Sequence, residues 1–209
     1  MSMAPESVEL REQATRARIV RAAQALFHRY GYQKTTVADI ARDLGMSSAN
    51  VYRFFESKKA INEAVALTLT GEVEAEARRN AAAAGPAAER LRKLLTDMHS
   101  MNAERYLRDL KMHEMVAVAI TESWPIIRQH LETIHGILAE LIREGIARGE
   151  FRDCDPVMAA HCVQAAMVRY CHPRLMVECA GMPHPTLDEM VDFLLASLSR
   201  PRPEGRGRA

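Results

Sequence analysis

Apolar positions recur along most of this chain with the period of an α-helix. Ile19, Ala22, Ala23, Leu26, Phe27 and Tyr30 fall at i, i+3, i+4, i+7, i+8 and i+11, one stripe of a single helix that Gly31 ends. Thr36 then has the position of an N-cap, with Asp39 three residues on, and Ile40 and Leu44 lie one turn apart before Gly45 closes the segment. After "GMS", Ser47 can cap a helix over roughly 48–54 that turns Val51 and Phe55 inward. Ser57 opens a longer helix to about residue 81, with Ile61, Val65, Leu69 and Val73 inward, and "AAAAGPAAE" breaks it.

The rest repeats the theme. Helices are expected at roughly 87–107, 108–122 and 125–148, the last with Ile127, Leu131, Ile134, Leu138 and Leu141 as a bundle seam. "GEFRDCDP" reads as a loop, with Asp155 as cap and Pro156 at the first helical position. Residues 157–172 are apolar nearly all round, so that helix should be buried on two sides. Pro173 interrupts it, "GMPHP" is a turn, and Thr186 with Glu189 boxes a last helix that turns Leu187, Met190, Val191, Leu194 and Leu198 inward. The pattern predicts an all-α chain of about nine helices. Residues 1–56 form a helix-turn-helix domain with 1–12 as a flexible tail. Residues 57–200 are expected to form a helical bundle, and 201–209 a disordered tail.

Composition changes this picture little; 48% hydrophobic and 26% charged residues are ordinary for a globular chain. The charge is unevenly placed. Residues 1–60 hold ten Lys/Arg against six Asp/Glu, a net of +4, and the remainder 18 against 21, a net of −3. A basic front on a mildly acidic body suits a polyanionic partner. No apolar run is long enough to span a membrane, and the N-terminus has neither the apolar core nor the cleavage site of a secretory leader. Cys154, Cys162, Cys171 and Cys179 have no framework spacing, which suggests reduced thiols and a cytoplasmic protein.

Helix, tight Gly turn and short helix is the arrangement that places a recognition helix in the major groove. Such a helix needs one face packed on its own domain, here Val51 and Phe55, and one face of short polar or basic side chains, here Ser48, Asn50 and Arg53. Asn can bond adenine bidentately and Arg guanine, while Ser and Tyr hydroxyls suit phosphate oxygens. The alternative for the same pattern is an αα-corner with a solvated polar face.

The order "TT..DIA.DLGMS...VY.FF.SK..I", preceded by "IV.AA..LF...GY", resembles the N-terminal domain of TetR-family bacterial transcriptional regulators over residues 16–61. The resemblance implies an all-α homodimer, a repressor on double-stranded operator DNA released by a small molecule. It places Thr36, Ser47, Tyr52 and Lys58 at phosphate-contacting positions, and Ser48, Asn50 and Arg53 where side chains reach the groove. Ala49, Arg53 and Phe54 depart from the commoner family pattern. The final two long helices resemble the family's dimerisation pair, with Met158, Cys162, Ala165, Met190, Phe193 and Leu194 as contact candidates.

The second half is rich in Met, His and Cys. On one helix, His161-Cys162 and Cys171-His172 would stand about 14–16 Å apart at 1.5 Å per residue, too far to share one metal within a chain. No metal or other cofactor is therefore expected, although a Cys- or His-dependent sensor of the same fold stays open. Met98, Met101, Met112 and Met115 either line an adaptable pocket or fill core. The candidate effector set is Met98, Met115, Trp124, Ile127, Leu131, His135 and Cys162. There is no phosphate-cradling glycine loop, nucleophile elbow or paired-carboxylate motif, so a helical enzyme is the minor alternative.

Overall fold

The computed structural model describes residues 5–107, 111, 116, 118, 120–121 and 123–200. The expected helix at 108–122 falls mostly outside the described residues, and the expected tail at 201–209 wholly so. The chain is all-α. Nine helices are described: α1 Pro5–Tyr30, α2 Val37–Asp43, α3 Ser48–Tyr52, α4 Lys58–Ala82, α5 Ala87–Tyr106, α6 Trp124–Ala147, α7 Pro156–Cys171, α8 Pro173–Glu178 and α9 Leu187–Leu198. No described helix is long and apolar enough to cross a membrane. Residues 5–12 are helical, an outward extension of α1, where the sequence suggested a flexible tail.

The chain divides into two compact units. The first comprises the chain up to Glu72 together with Arg105–Gln129; the second comprises Val73–Glu104 and the chain from His130 onward. In the first, Ile19, Ala23 and Phe27 of α1 pack with Ile40, Val51, Phe55, Ile61 and Val65. The two adjacent threonines of "TT" finish one helix and begin the next. Thr35, 1% exposed, donates its hydroxyl to the Gly31 carbonyl at 2.8 Å, satisfying the end of α1. Thr36 caps α2, accepting from the Asp39 N–H while the Asp39 carboxylate accepts from the Thr36 N–H at 2.9 Å. Gly31 and Gly45 have φ of 90° and 64°, the left-handed turns that end α1 and α2.

In the second unit Leu91, Leu94, Leu138, Leu141, Ile142, Val163, Met167, Val191 and Leu198 share one core. The seam of α6 is buried at Ile134, Leu138 and Leu141, but Leu131 is 40% exposed, so the inward face begins later than the spacing suggested. Asp155 caps α7 with Pro156 in its first turn, and the Thr186–Glu189 box caps α9. The stretch after Pro173 is a short helix, α8. His172 caps it by accepting from the Leu175 N–H, and proline at the first position has no N–H that needs an acceptor. Helix α7 buries Ala160, Val163, Met167 and Tyr170 in its own chain and leaves Val157, Met158, Ala165 and Val168 exposed. Its second apolar face is therefore open in a single copy.

Candidate nucleic-acid interface

The α2–turn–α3 segment presents a continuous polar surface over an apolar floor. Val51, fully buried, and Phe55, 4% exposed, fix α3 to the first unit. Ser47 caps α3, its hydroxyl oxygen accepting from the Asn50 N–H at 3.2 Å, which leaves the hydroxyl proton able to donate outward. Ser47, Ala49, Tyr52 and Arg53 are exposed, and Ser48 and Asn50 are half-buried beside them. Arg53 stands at the C-terminal end of α3, and its guanidinium has no ion-pair partner among the described residues. An unneutralised guanidinium beside an amide and hydroxyls is a donor set for phosphates and purine edges.

Two of the residues expected at phosphates also bond within the chain. The Thr36 hydroxyl donates to Asp39 Oδ2 at 2.6 Å while accepting from the Asp39 N–H, so both its roles are taken by the cap. Those bonds to Thr36, with Arg42 adding a smaller share, hold the Asp39 carboxyl below its ordinary value. The charged carboxylate thus lies in the first turn of α2, where the helix dipole favours it. The Lys58 ammonium lies 4.2 Å from the Tyr32 ring centre and 3.4 Å from the Gln33 carbonyl, tying the start of α4 to the α1–α2 loop. Arg16, which the helical period of α1 gave no reason to single out, donates to the Phe54 carbonyl and lies 4.2 Å over the Phe55 ring. A basic residue on the outer face of an amphipathic helix reads as solubilising until the partner helix is seen.

The candidate effector residues of the second unit differ in exposure. Met98 is 8% exposed in the core, Leu131 is exposed, and Cys162 is exposed on α7. Ile127, half-buried, belongs to the first unit. Met112, Met115 and the side chain of Trp124 lie outside the described residues. His135 stacks on His161 with ring centres 3.8 Å apart, and its Nδ1 is buried without a hydrogen-bond partner. Burial, and secondarily the neighbouring His161, pull the His135 pKa down, so the ring is neutral near pH 7.

The thiols separate by environment. Burial pushes Cys171 up to about 12, which leaves almost no thiolate at neutral pH and makes it a poor redox sensor. Among the described residues no three His, Cys, Asp or Glu side chains are grouped to hold a metal. On the candidate dimer face, Met158 is 58% and Phe193 69% exposed, Ala165 is exposed, and Met190 borders a groove of about 510 Å³ with Pro185, Glu189 and Phe193. Leu194 differs from its neighbours: it is 5% exposed and packs into its own core, because it lies one turn from Val191 and Leu198 on the inner stripe of α9.

A family model described as bacterial regulatory proteins, tetR family, matches residues 19–65. A second, described as tetracyclin repressor-like, C-terminal domain, matches residues 87–191, just over half of the chain. The HTH-type transcriptional regulator YhgD of Bacillus subtilis (strain 168) is 22% identical over 142 residues, 68% of this chain and 74% of its own length. Among solved structures, a TetR/AcrR-family transcriptional regulator from Thermobifida fusca is 25% identical with a TM-score of 0.65, over 88% of this chain and 95% of that one. SmeT, the repressor of the Stenotrophomonas maltophilia multidrug efflux pump SmeDEF, is similar in fold with a TM-score of 0.66 and 22% identity, over 90% and 92% of the two chains. With the capped helix pair, the glycine turn and the exposed face of α3 all inside the matched segment, the chain belongs to the TetR family of bacterial transcriptional regulators.

Proposed function

We propose that this regulator is a cytoplasmic repressor that binds a pseudo-palindromic operator as a homodimer and is released by a small, largely apolar effector. Residues up to about 56 read DNA, and residues 57–200 answer to the effector and the second copy. The observation that carries the DNA reading is the face of α3, where Ser47, Ser48, Asn50 and Tyr52 accompany Arg53, an arginine without an ion-pair partner among the described residues. Two such helices related by a two-fold require two equivalent half-sites.

A salt-titrated binding assay on duplexes enriched from a random-sequence pool tests it. Arg53→Ala and Asn50→Ala are each expected to cost about 1–3 kcal/mol at the base pair read and to relax preference there. Tyr52→Phe should weaken binding to all sequences alike. Unchanged affinity and preference in Arg53→Ala would remove α3 as the reading element.

On the effector side, the proposed ligand is apolar with one polar group. The supporting feature is His135 Nδ1, a buried hydrogen-bonding atom that the chain leaves unmatched. Met98, Leu131 and Cys162 of the same unit are the other candidates there. Release requires the effector to favour the dimer form that binds operator poorly, with a coupling of about 1–3 kcal/mol. Thermal-shift screening of hydrophobic acids, alcohols and ketones should find ligands whose affinity falls about tenfold in His135→Leu, the worth of one buried hydrogen bond. A ligand that binds free and operator-bound protein equally cannot be the inducer.

A further inference from the structure

We infer that Arg16 is a positioning residue for DNA reading, a tether that sets the direction in which Arg53 leaves the end of α3. The inference rests on the DNA reading above but concerns a residue outside the segment, 19–65, that the N-terminal family model matches. Helix α3 has only five residues, so almost none of its carbonyls meet an N–H of its own helix. The Val51 carbonyl takes the N–H groups of both Phe54, at 2.9 Å, and Phe55, at 3.1 Å. The Phe54 carbonyl lies beyond these bonds, and the Arg16 guanidinium, 38 residues earlier in the chain, donates to it. The same guanidinium stacks over Phe55, 4.2 Å from its ring centre, and Phe55 is held in the core at 4% exposure. One planar cation thus holds both the backbone and the aromatic anchor of the turn that follows α3.

Arg53 is the residue next to that carbonyl, and its backbone, at φ −66° and ψ −25°, belongs to the tethered turn. A rotation of about 15° there would carry a guanidinium some 6 Å away through roughly 1.5 Å, wider than the hydrogen-bond distance window. Arg16 is itself exposed and basic, so direct contact with a phosphate is the competing role, and the two differ in what they do to specificity. A lost phosphate contact weakens every duplex alike and lowers the salt slope by about one; a lost tether leaves the salt slope and lowers discrimination.

The test uses the full chain, a duplex enriched by the wild type from a random pool, and a scrambled duplex of the same composition. Arg16→Met is expected to lower the ratio of specific to scrambled affinity about tenfold with the salt slope unchanged, and Arg16→Lys, which keeps a donor and a cation over the ring, to recover most of it. In the free protein, amide exchange at Phe54 and Phe55 should quicken while the global melting temperature holds. Equal losses on both duplexes with a shallower slope overturn the tether in favour of a phosphate contact. A broad fall in melting temperature in both variants overturns it in favour of a merely structural arginine. A wild type that enriches no duplex removes the DNA reading and this inference together. Enrichment by wild type with an unchanged ratio in Arg16→Met removes the inference alone.

Discussion

Ala165→Glu is expected to convert the protein to monomers that have lost operator binding. Ala165 lies on the face of α7 opposite its core residues Val163 and Met167, in company with Val157, Met158, Cys162 and Val168, all exposed in one chain. On α9, Phe193 is 69% exposed beside the groove at Met190. So many apolar side chains on one face call for a partner, and a two-fold interface would bury each of them twice. A carboxylate placed there is introduced twice, close to its own symmetry mate and away from water, at a cost of several kcal/mol. Dimerisation also links two half-site contacts into one event, so its loss should lower operator affinity by roughly a hundredfold or more. Sedimentation velocity at micromolar protein, with operator binding on the same samples, reads both effects. Alkylation of Cys162 gives a local check: protected in the wild type, it should react in Ala165→Glu. A wild-type protein that sediments as a monomer at that concentration sinks the interface.

The DNA-reading end of this chain was legible because its signals are local. Caps at Thr36 and Ser47, glycine turns at Gly31 and Gly45, and the inward pair Val51 and Phe55 all lie within a few residues of what they control, and the structure has them as read. Long-range partners were not legible. Lys58 looks like a phosphate ligand in a motif, yet its ammonium also meets the Tyr32 ring and the Gln33 carbonyl 25 residues earlier. Arg16 carried no periodic signal, since its role depends on a carbonyl 38 residues away. The α6 seam failed at Leu131 for a related reason: a four–three alternation says which residues share a face, not where along the helix a neighbour stops covering it.

Phe151→Ala is expected to destabilise the second unit by about 3–5 kcal/mol, the usual consequence of emptying a fully buried aromatic site. "GEFRDCDP" reads as a loop, and loops are normally exposed, but Phe151 is 1% exposed within the core cluster. Its site is cut by Gly145, where an added methyl would overlap the Phe151 ring, so the glycine of α6 makes room for the phenyl. The backbone on both sides is fixed as well. Glu150 and Phe151 donate to the Gly145 carbonyl at 2.9 and 3.1 Å, and Arg152 donates its N–H to Leu198 at 2.8 Å and its Nε to Ser197 at 2.7 Å. The segment is thereby paired to the end of α9, with Phe151 and Ser199 as an isolated antiparallel bridge. With the backbone held at both ends, the site has little freedom to collapse around a missing ring, which favours the upper part of the range. Urea denaturation followed by far-ultraviolet circular dichroism measures the loss, and Phe151→Leu should restore about half of it by refilling most of the volume. A cost below about 1 kcal/mol for Phe151→Ala would mean that the loop relaxes into the space, and that the bonds to Leu198 and Ser197 do not hold it in place.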